Sequence, residues 1–273
     1  MNYDQICYEI KNKGSYLCVG LDSDLNKIPK YLLKYDDPIF EFNKIIIDNT
    51  KDLVVAYKPN LAFYEVNGSQ GMRTLKKTLD YIPKNIFKIA DAKRGDIGNT
   101  SLMYARTFFE TFNFDAITLS PYMGRDSIDP FLEFKDKWAI ILALTSNKSA
   151  KDIQSIKNLN GEQLYESIIK NSTEWSSKKN MMYVVGANRE DDLLNIRKII
   201  PDNFLLIPGV GAQGGDLKKI SNLGMNKNCG IIVNVSRSII YCDDSTNFGQ
   251  EVRLSAMKVK NQMQEILFSS RII

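Results

Sequence analysis

Eight short apolar runs, rich in valine and isoleucine and spread along most of the chain, constrain the fold more than any other feature. They lie at 17–21 (LCVGL), 53–57 (LVVAY), 86–90 (IFKIA), 115–119 (DAITL), 139–144 (AIILAL), 181–185 (MMYVV), 204–208 (FLLIP) and 230–235 (GIIVNV). Runs this short and this apolar read as buried strands. Stretches with helical periodicity separate them, among them 39–50, 99–112, 161–178 and 190–200. A segment at 250–268 supplies a last helix, and 2–12 an extra helix before the first strand. Alternating strands and helices imply parallel strands covered by helices, and eight units favour closure into a (β/α)8 TIM barrel. An open doubly wound sheet is the alternative. It would be favoured by a GxGxxG turn after the first strand, where the chain reads LCVGLDSD. No linker or low-complexity tract interrupts the pattern, so 1–273 is expected to be a single domain.

Composition removes several classes of function. The chain has no histidine, which excludes Ser-His-Asp and Cys-His catalysis and imidazole metal sites, and leaves proton chemistry to Lys, Asp, Glu, Tyr or Cys. The four cysteines, Cys7, Cys18, Cys229 and Cys242, form no CxxC pair and read as reduced thiols, not zinc ligands. No metal and no cofactor are expected. A net charge of +4, dispersed along the chain, points away from nucleic acid and leaves small anionic substrates in play. The first residues, MNYDQICYEIKNKGSY, carry charges where a signal peptide needs an apolar core, and no run reaches membrane-span length. A cytoplasmic protein with no membrane partner is expected.

A barrel of this kind assembles its active site from the C-terminal ends of its strands. Those positions are polar here: Asp22 after the first run, Lys58, Pro59 and Asn60 after the second, and Asp91, Lys93, Arg94 and Asp96 after the third. Thr145, Ser146 and Asn147 follow the fifth. Any one of these residues alone reads as a solvated loop residue or a helix cap. Acids and amines on three consecutive strands form a mutually compensating network, costly to desolvate unless it is used. It suits a reaction in which negative charge develops on the substrate and an ammonium then delivers a proton.

After the seventh run comes Pro208 to Asp216, with Gly211, Gln213 and Gly214, and after the eighth comes Asn234 to Ser238, with Arg237. Barrel enzymes often bind phosphate at these two loops. Glycines admit backbone N–H groups to phosphate oxygens, and an arginine adds a bidentate contact. Taken alone, the glycines would read as turns; the neighbouring arginine tips the balance to phosphate.

The segment Asp91 to Thr100, DAKRGDIGNT, resembles the DxKxxD signature of the orotidine 5′-phosphate decarboxylases. VGLD at Asp22, YKPN from Tyr57 to Asn60, LTSN at Thr145 to Asn147, PGVGAQGGD around Gln213 and VSRSI around Arg237 extend the resemblance from the first strand to the eighth. It implies a cofactor-free decarboxylation of orotidine 5′-phosphate to UMP in de novo pyrimidine synthesis, with Lys93 protonating a carbanion-like C6. It further implies that Asp22 binds ribose hydroxyls and that Lys58, Asp91, Lys93 and Asp96 form the charged network. Ser146 would contact the pyrimidine, Gln213 the phosphate and base, Arg237 the phosphate, and Asn60 would be a further polar contact. Asp96 and Thr100 would enter the site of the partner subunit in a homodimer. The three residues from Lys93 to Asp96 span up to about 10 Å when extended, enough to carry the second aspartate away from its own pocket.

The chain departs from shorter members of that family at 145–163 and 225–230, and resembles the longer subgroup. It reads Arg237-Ser238-Ile239-Ile240-Tyr241 where shorter members place the tyrosine one residue earlier, so no role is assigned to Tyr241. Three rival readings stand beside this one. They are a metal-dependent sugar-phosphate barrel, a Schiff-base aldolase using Lys58 or Lys93, and a barrel that binds nucleotide without turnover.

Overall fold

The structure, a computed structural model, describes residues 1–211 and 215–273. Eight parallel strands close into a barrel in chain order: β1 (Leu17–Leu21), β2 (Ala56–Pro59), β3 (Phe87–Arg94), β4 (Ala116–Leu119), β5 (Trp138–Leu144), β6 (Met181–Val185), β7 (Leu205–Pro208) and β8 (Ile231–Val235). Closure of β8 onto β1, with Leu17 opposite Val233, excludes the open sheet. Helix α1 (Tyr3–Lys13) precedes β1 and α2 (Pro38–Thr50) follows it. Between later strands come α3 (Ala62–Glu65), α4 (Gly68–Tyr81), α5 (Gly98–Arg106), α6 (Asp129–Leu132), α7 (Leu164–Ser172), α8 (Glu190–Ile199) and α9 (Leu217–Gly224). After β8 come α10 (Arg237–Ile240) and α11 (Phe248–Ser269).

Local chemistry sets several of these bounds. Asn2 accepts the Gln5 amide while the Gln5 side chain accepts the Asn2 amide, a reciprocal cap that starts α1, and Gly14 ends it at φ +57°. Asp37 caps α2, with Pro38 in its first turn. Helix α7 is shorter than the 161–178 periodicity predicts, because its polar lead-in turns back on itself, Lys157 bridging Gln163, before Glu166 accepts the Gln163 amide. Helix α5 stops at Arg106, and the remainder of the expected 99–112 helix continues as a π-helical turn over Thr107–Thr111.

Two strand shifts matter for function. Strand β2 starts three residues later than the apolar run at 53–57, which serves as a buried lead-in, so Lys58 and Pro59 lie inside the strand. Strand β3 runs on through Asp91 and Lys93 to Arg94 by way of a register shift against β4. Residues along β1, β4, β6 and β8 are buried throughout, as strands enclosed by a helical jacket require. Aromatic rings close the N-terminal end of the barrel: Trp138 packs edge-on against Phe87 at 6.1 Å and Phe204 at 6.5 Å. Tyr3 of α1 covers Phe204 at 5.2 Å. Among the described residues no helix is long and apolar enough to cross a membrane.

The α3–α4 corner supports the opposite end. The buried Tyr64 hydroxyl donates to the Leu21 carbonyl at 3.1 Å and accepts from Asn43 at 3.0 Å, fixing the end of β1 just before Asp22. Gly71 of α4 lies so near that an added Cβ would stand 1.8 Å from the Tyr64 carbonyl oxygen. Alanine in a helix gains about 1 kcal/mol over glycine. The clash with backbone outweighs that gain, so Gly71→Ala should destabilise the protein by about 1–3 kcal/mol in urea denaturation. A variant as stable as the parent would contradict the close approach.

Candidate active site

Adjacent strands bring three charges into contact at the C-terminal mouth. Gly20 of β1 pairs with Lys58 of β2, and a bridge between Asn60 and Asp91 aligns β2 with β3. Lys58 Nζ donates to one Asp91 oxygen at 2.7 Å, and Lys93 Nζ donates to the other. Lys58 is buried, 4% exposed, whereas the Lys93 side chain is half open at 53%. Burial opposes the Lys58 ammonium, but Asp91 and then Asp22 outweigh it and hold its pKa above the usual lysine value. Burial also disfavours the Asp91 carboxylate, yet Lys58 and Lys93 more than offset this and pull it down to about 2.

This triad borders a cavity of about 340 Å³. Ser146 and Thr118 line it with the triad, and Leu142, Val184 and Leu206 give it an apolar wall. Apolar surroundings strengthen the field of the charges they face. Ser146 is held by its neighbours: Asn188 donates to its carbonyl at 2.8 Å, and the Arg189 guanidinium donates to the Thr145 carbonyl at 3.1 Å. An added Cβ on Gly186 would meet the Ser146 backbone at 2.8 Å, so the β6 loop approaches this closely only as glycine.

Asp22 stands beside the triad at the end of β1. One oxygen accepts from Ser236 at 2.7 Å; the other, Oδ1, is buried with no hydrogen-bond partner among the described residues. Tyr241 donates its hydroxyl to the Asp22 carbonyl and accepts from the Asp24 amide, both at 2.7 Å. Burial pushes that phenol up to about 12, so it remains a donor at neutral pH. On the same side, Arg237 opens α10 with its side chain exposed and in no hydrogen bond or ion pair among the described residues. Gly209 and Gly211, at φ +102° and +76°, shape the β7 loop with backbone conformations that favour glycine. Gln213 and Gly214 lie outside the described residues.

Not every strand-end residue joins the cavity. Asn60 accepts the Ala62 amide on its side-chain oxygen at 3.2 Å, a local turn, while its backbone bridges Asp91. Arg94 points outward: it pairs with Glu65, donates to the Ala92 carbonyl, and lies over the Tyr104 and Phe108 rings. Asp96 accepts from the Ile97 amide at 2.8 Å, and no ion pair among the described residues links it to the triad. Thr100, on α5, is exposed. Thr118, Asn188, Arg189 and Tyr241 escaped the reading by strand ends. Thr118 lies inside an apolar run, Asn188 and Arg189 stand three and four residues beyond the end of β6, and Tyr241 is displaced from the family run.

A closed eight-stranded barrel with ionic groups at its C-terminal mouth belongs to the (β/α)8-barrel enzymes. Residues 15–251 match the model of the orotidine 5′-phosphate decarboxylase / HUMPS family, and the chain belongs to that family. It is 54% identical over 270 residues to an orotidine 5′-phosphate decarboxylase of Phocaeicola vulgatus, covering 98% of this chain and 99% of that one. A Flavobacterium johnsoniae protein of the same name is 53% identical over 272 residues, covering 98% of this chain and 99% of its own. The solved OMP decarboxylase of Leishmania donovani superposes with a TM-score of 0.84 at 32% identity, covering 98% of this chain and 99% of that one.

The triad makes a prediction for stability. Asp91 has a folded pKa below its unfolded value of about 3.9, so its contribution is full above that value and is lost as pH falls through about 2. Lys58 has a raised folded pKa, so its contribution is full below about 10.4 and is lost only at higher pH. Asp91→Asn leaves Lys58 buried beside a neutral group and should cost about 3–5 kcal/mol at neutral pH. Urea denaturation of parent and variant between pH 2 and pH 7 reads the Asp91 limb and the cost of the substitution. A variant as stable as the parent, with the same acid limb, would dissolve the triad.

Proposed function

We propose that this chain decarboxylates orotidine 5′-phosphate to UMP in pyrimidine biosynthesis, without a cofactor, and that Lys93 is the proton donor. The observation that carries the mechanism is the Asp91 carboxylate held between two ammonium groups at the edge of an apolar-walled cavity. The bond from C6 to the carboxyl carbon breaks, CO2 leaves, and the electron pair remains on C6. The Lys93 ammonium stabilises that charge and gives C6 a proton, becoming an amine that regains a proton from water. Lys58, more deeply buried, keeps Asp91 ionised and Lys93 aimed. Asp91 faces the departing carboxylate.

The remaining contacts follow the substrate outward. Ser146 meets the pyrimidine on the cavity wall. The unpartnered Asp22 oxygen suits a ribose hydroxyl, which would satisfy an otherwise buried acceptor. Arg237, with Gly211, Gln213 and Gly214, takes the phosphate. Asn60 offers a further polar contact through its side-chain amide.

Asp96 and Thr100 are assigned to the site of a second copy. Ile97, Met103, Tyr122 and Met123 are exposed, an apolar group around the β3 and β4 loops suited to a homodimer face. Residues 1–273 act as one barrel domain in the cytoplasm, with no nucleic-acid or membrane partner.

An absorbance assay tests the activity directly: purified protein dialysed exhaustively against EDTA should consume orotidine 5′-phosphate and yield UMP. Complete loss in EDTA with rescue by magnesium would instead favour a metal-dependent sugar-phosphate barrel. Borohydride trapping of a substrate adduct on Lys58 or Lys93 would favour the aldolase, and nucleotide binding without turnover the inactive barrel.

Subunit sharing has its own test. Mixing inactive Lys93→Ala and Asp96→Ala proteins should restore activity, since some heterodimers contain one site free of both lesions. Native mass spectrometry monitors subunit exchange. Exchange without recovery would place Asp96 in its own subunit's site.

A further inference from the structure

We propose that Thr118 is a positioning residue that holds the Lys93 backbone in the left-handed conformation from which its ammonium reaches the cavity. The inference rests on Lys93 being the proton donor. Lys93 sits at φ +50°, a region lysine rarely occupies and one that persists only when its surroundings impose it. The β3–β4 ladder shows where the imposition comes from. Ala90 pairs with Ile117 and Arg94 with Leu119, so Asp91, Ala92 and Lys93 together face Thr118 alone.

A register interruption of this kind leaves backbone N–H groups without ladder partners. Thr118 supplies the missing acceptor from its side chain. Its Oγ1 accepts from the Ala92 amide at 3.0 Å and the Lys93 amide at 2.9 Å, and its hydroxyl donates towards the Ala90 carbonyl at 3.4 Å. The residue is 2% exposed and lines the same cavity as Lys93.

Ordinary extended pairing would carry β3 straight past the mouth. Two amides converging on one fixed oxygen instead bend the chain at Ala92 and Lys93, while Arg94 is braced outside the barrel by Glu65. The direction of the Lys93 side chain is therefore set by a hydroxyl on the neighbouring strand. Thr118 need not touch the reacting atoms to affect the rate.

Thr118→Val keeps the shape and removes the acceptor; Thr118→Ser keeps the oxygen. With active sites counted by UMP binding, Thr118→Val should lower kcat about 10- to 100-fold with KM nearly unchanged, and Thr118→Ser should retain most of the parent kcat. In a Lys93→Ala background, adding Thr118→Val should cause little further loss, because both lesions remove the same positioned group. A Thr118→Val protein with the parent kcat, beside an impaired Lys93→Ala protein, overturns the role of Thr118 alone. A Lys93→Ala protein that turns over normally overturns the underlying assignment of Lys93. Should Thr118→Val fail to fold, Thr118→Cys, with a weaker acceptor, serves in its place, and a parent-like kcat there likewise overturns the inference.

Discussion

The Asp91 carboxylate, clamped between Lys58 and Lys93, is the interaction on which the architecture of the mouth depends. Removing Lys58 and Asp91 from water costs several kcal/mol per ion before their attraction is counted. That cost is met only because three adjacent strands place the partners within hydrogen-bond reach: β1 aligns Lys58 opposite Gly20, and the Asn60–Asp91 bridge joins β2 to β3. The arrangement is asymmetric. Both ammonium groups line the cavity, but the Lys58 side chain is buried and the Lys93 side chain half exposed, so the first fixes the carboxylate and the second, paired with its other oxygen, is the more open to a ligand.

The two ends of the barrel divide the tasks of stability and chemistry. Trp138, Phe87, Phe204 and Tyr3 pack the N-terminal end with rings, and the charges there are paired at its rim, the Met1 ammonium with Asp115 and Lys178 with Asp202. The C-terminal end carries the Lys58–Asp91–Lys93 triad at the cavity, and side-chain hydrogen bonds hold its loops. Asn188 and Arg189 grip the loop carrying Ser146; Tyr64, Ser236 and Tyr241 grip the segment carrying Asp22. Such bonds constrain loop geometry without filling the mouth with hydrophobic side chains.

Much of this was legible in the sequence because strand ends have a fixed meaning in a parallel barrel. The eight apolar runs located the strands, and Asp91 and Lys93 stand directly after the third of them, where a parallel barrel builds its site. The same logic grouped Arg94 and Asn60 with the polar strand ends. Arg94 instead faces Glu65 and two aromatic rings, and the Asn60 side chain caps a turn. Neither outcome is visible in residue type, since each depends on contacts made by a later helix or a local amide. Thr118 was hidden for the opposite reason: within DAITL it reads as a strand-forming side chain, and its function arises only from the register shift on the neighbouring strand.

The residues proposed for substrate recognition and for chemistry lie on neighbouring strands, which bears on how a remote phosphate would assist a reaction at C6. Arg237 follows β8 and Asp22 follows β1, while Lys58 and Asp91 stand on β2 and β3. Ser236 ties the segment bearing Arg237 to the Asp22 carboxylate, and Asp22 in turn contributes to the potential that keeps Lys58 charged. A phosphate on Arg237 and a ribose hydroxyl on Asp22 would thus settle on one braced unit, and the pyrimidine would follow towards the triad without a separate ordering cost. Under the proposed roles, binding energy collected at the unreactive end of the ligand would be available to place C6 beside Lys93 and to hold the carboxylate against Asp91.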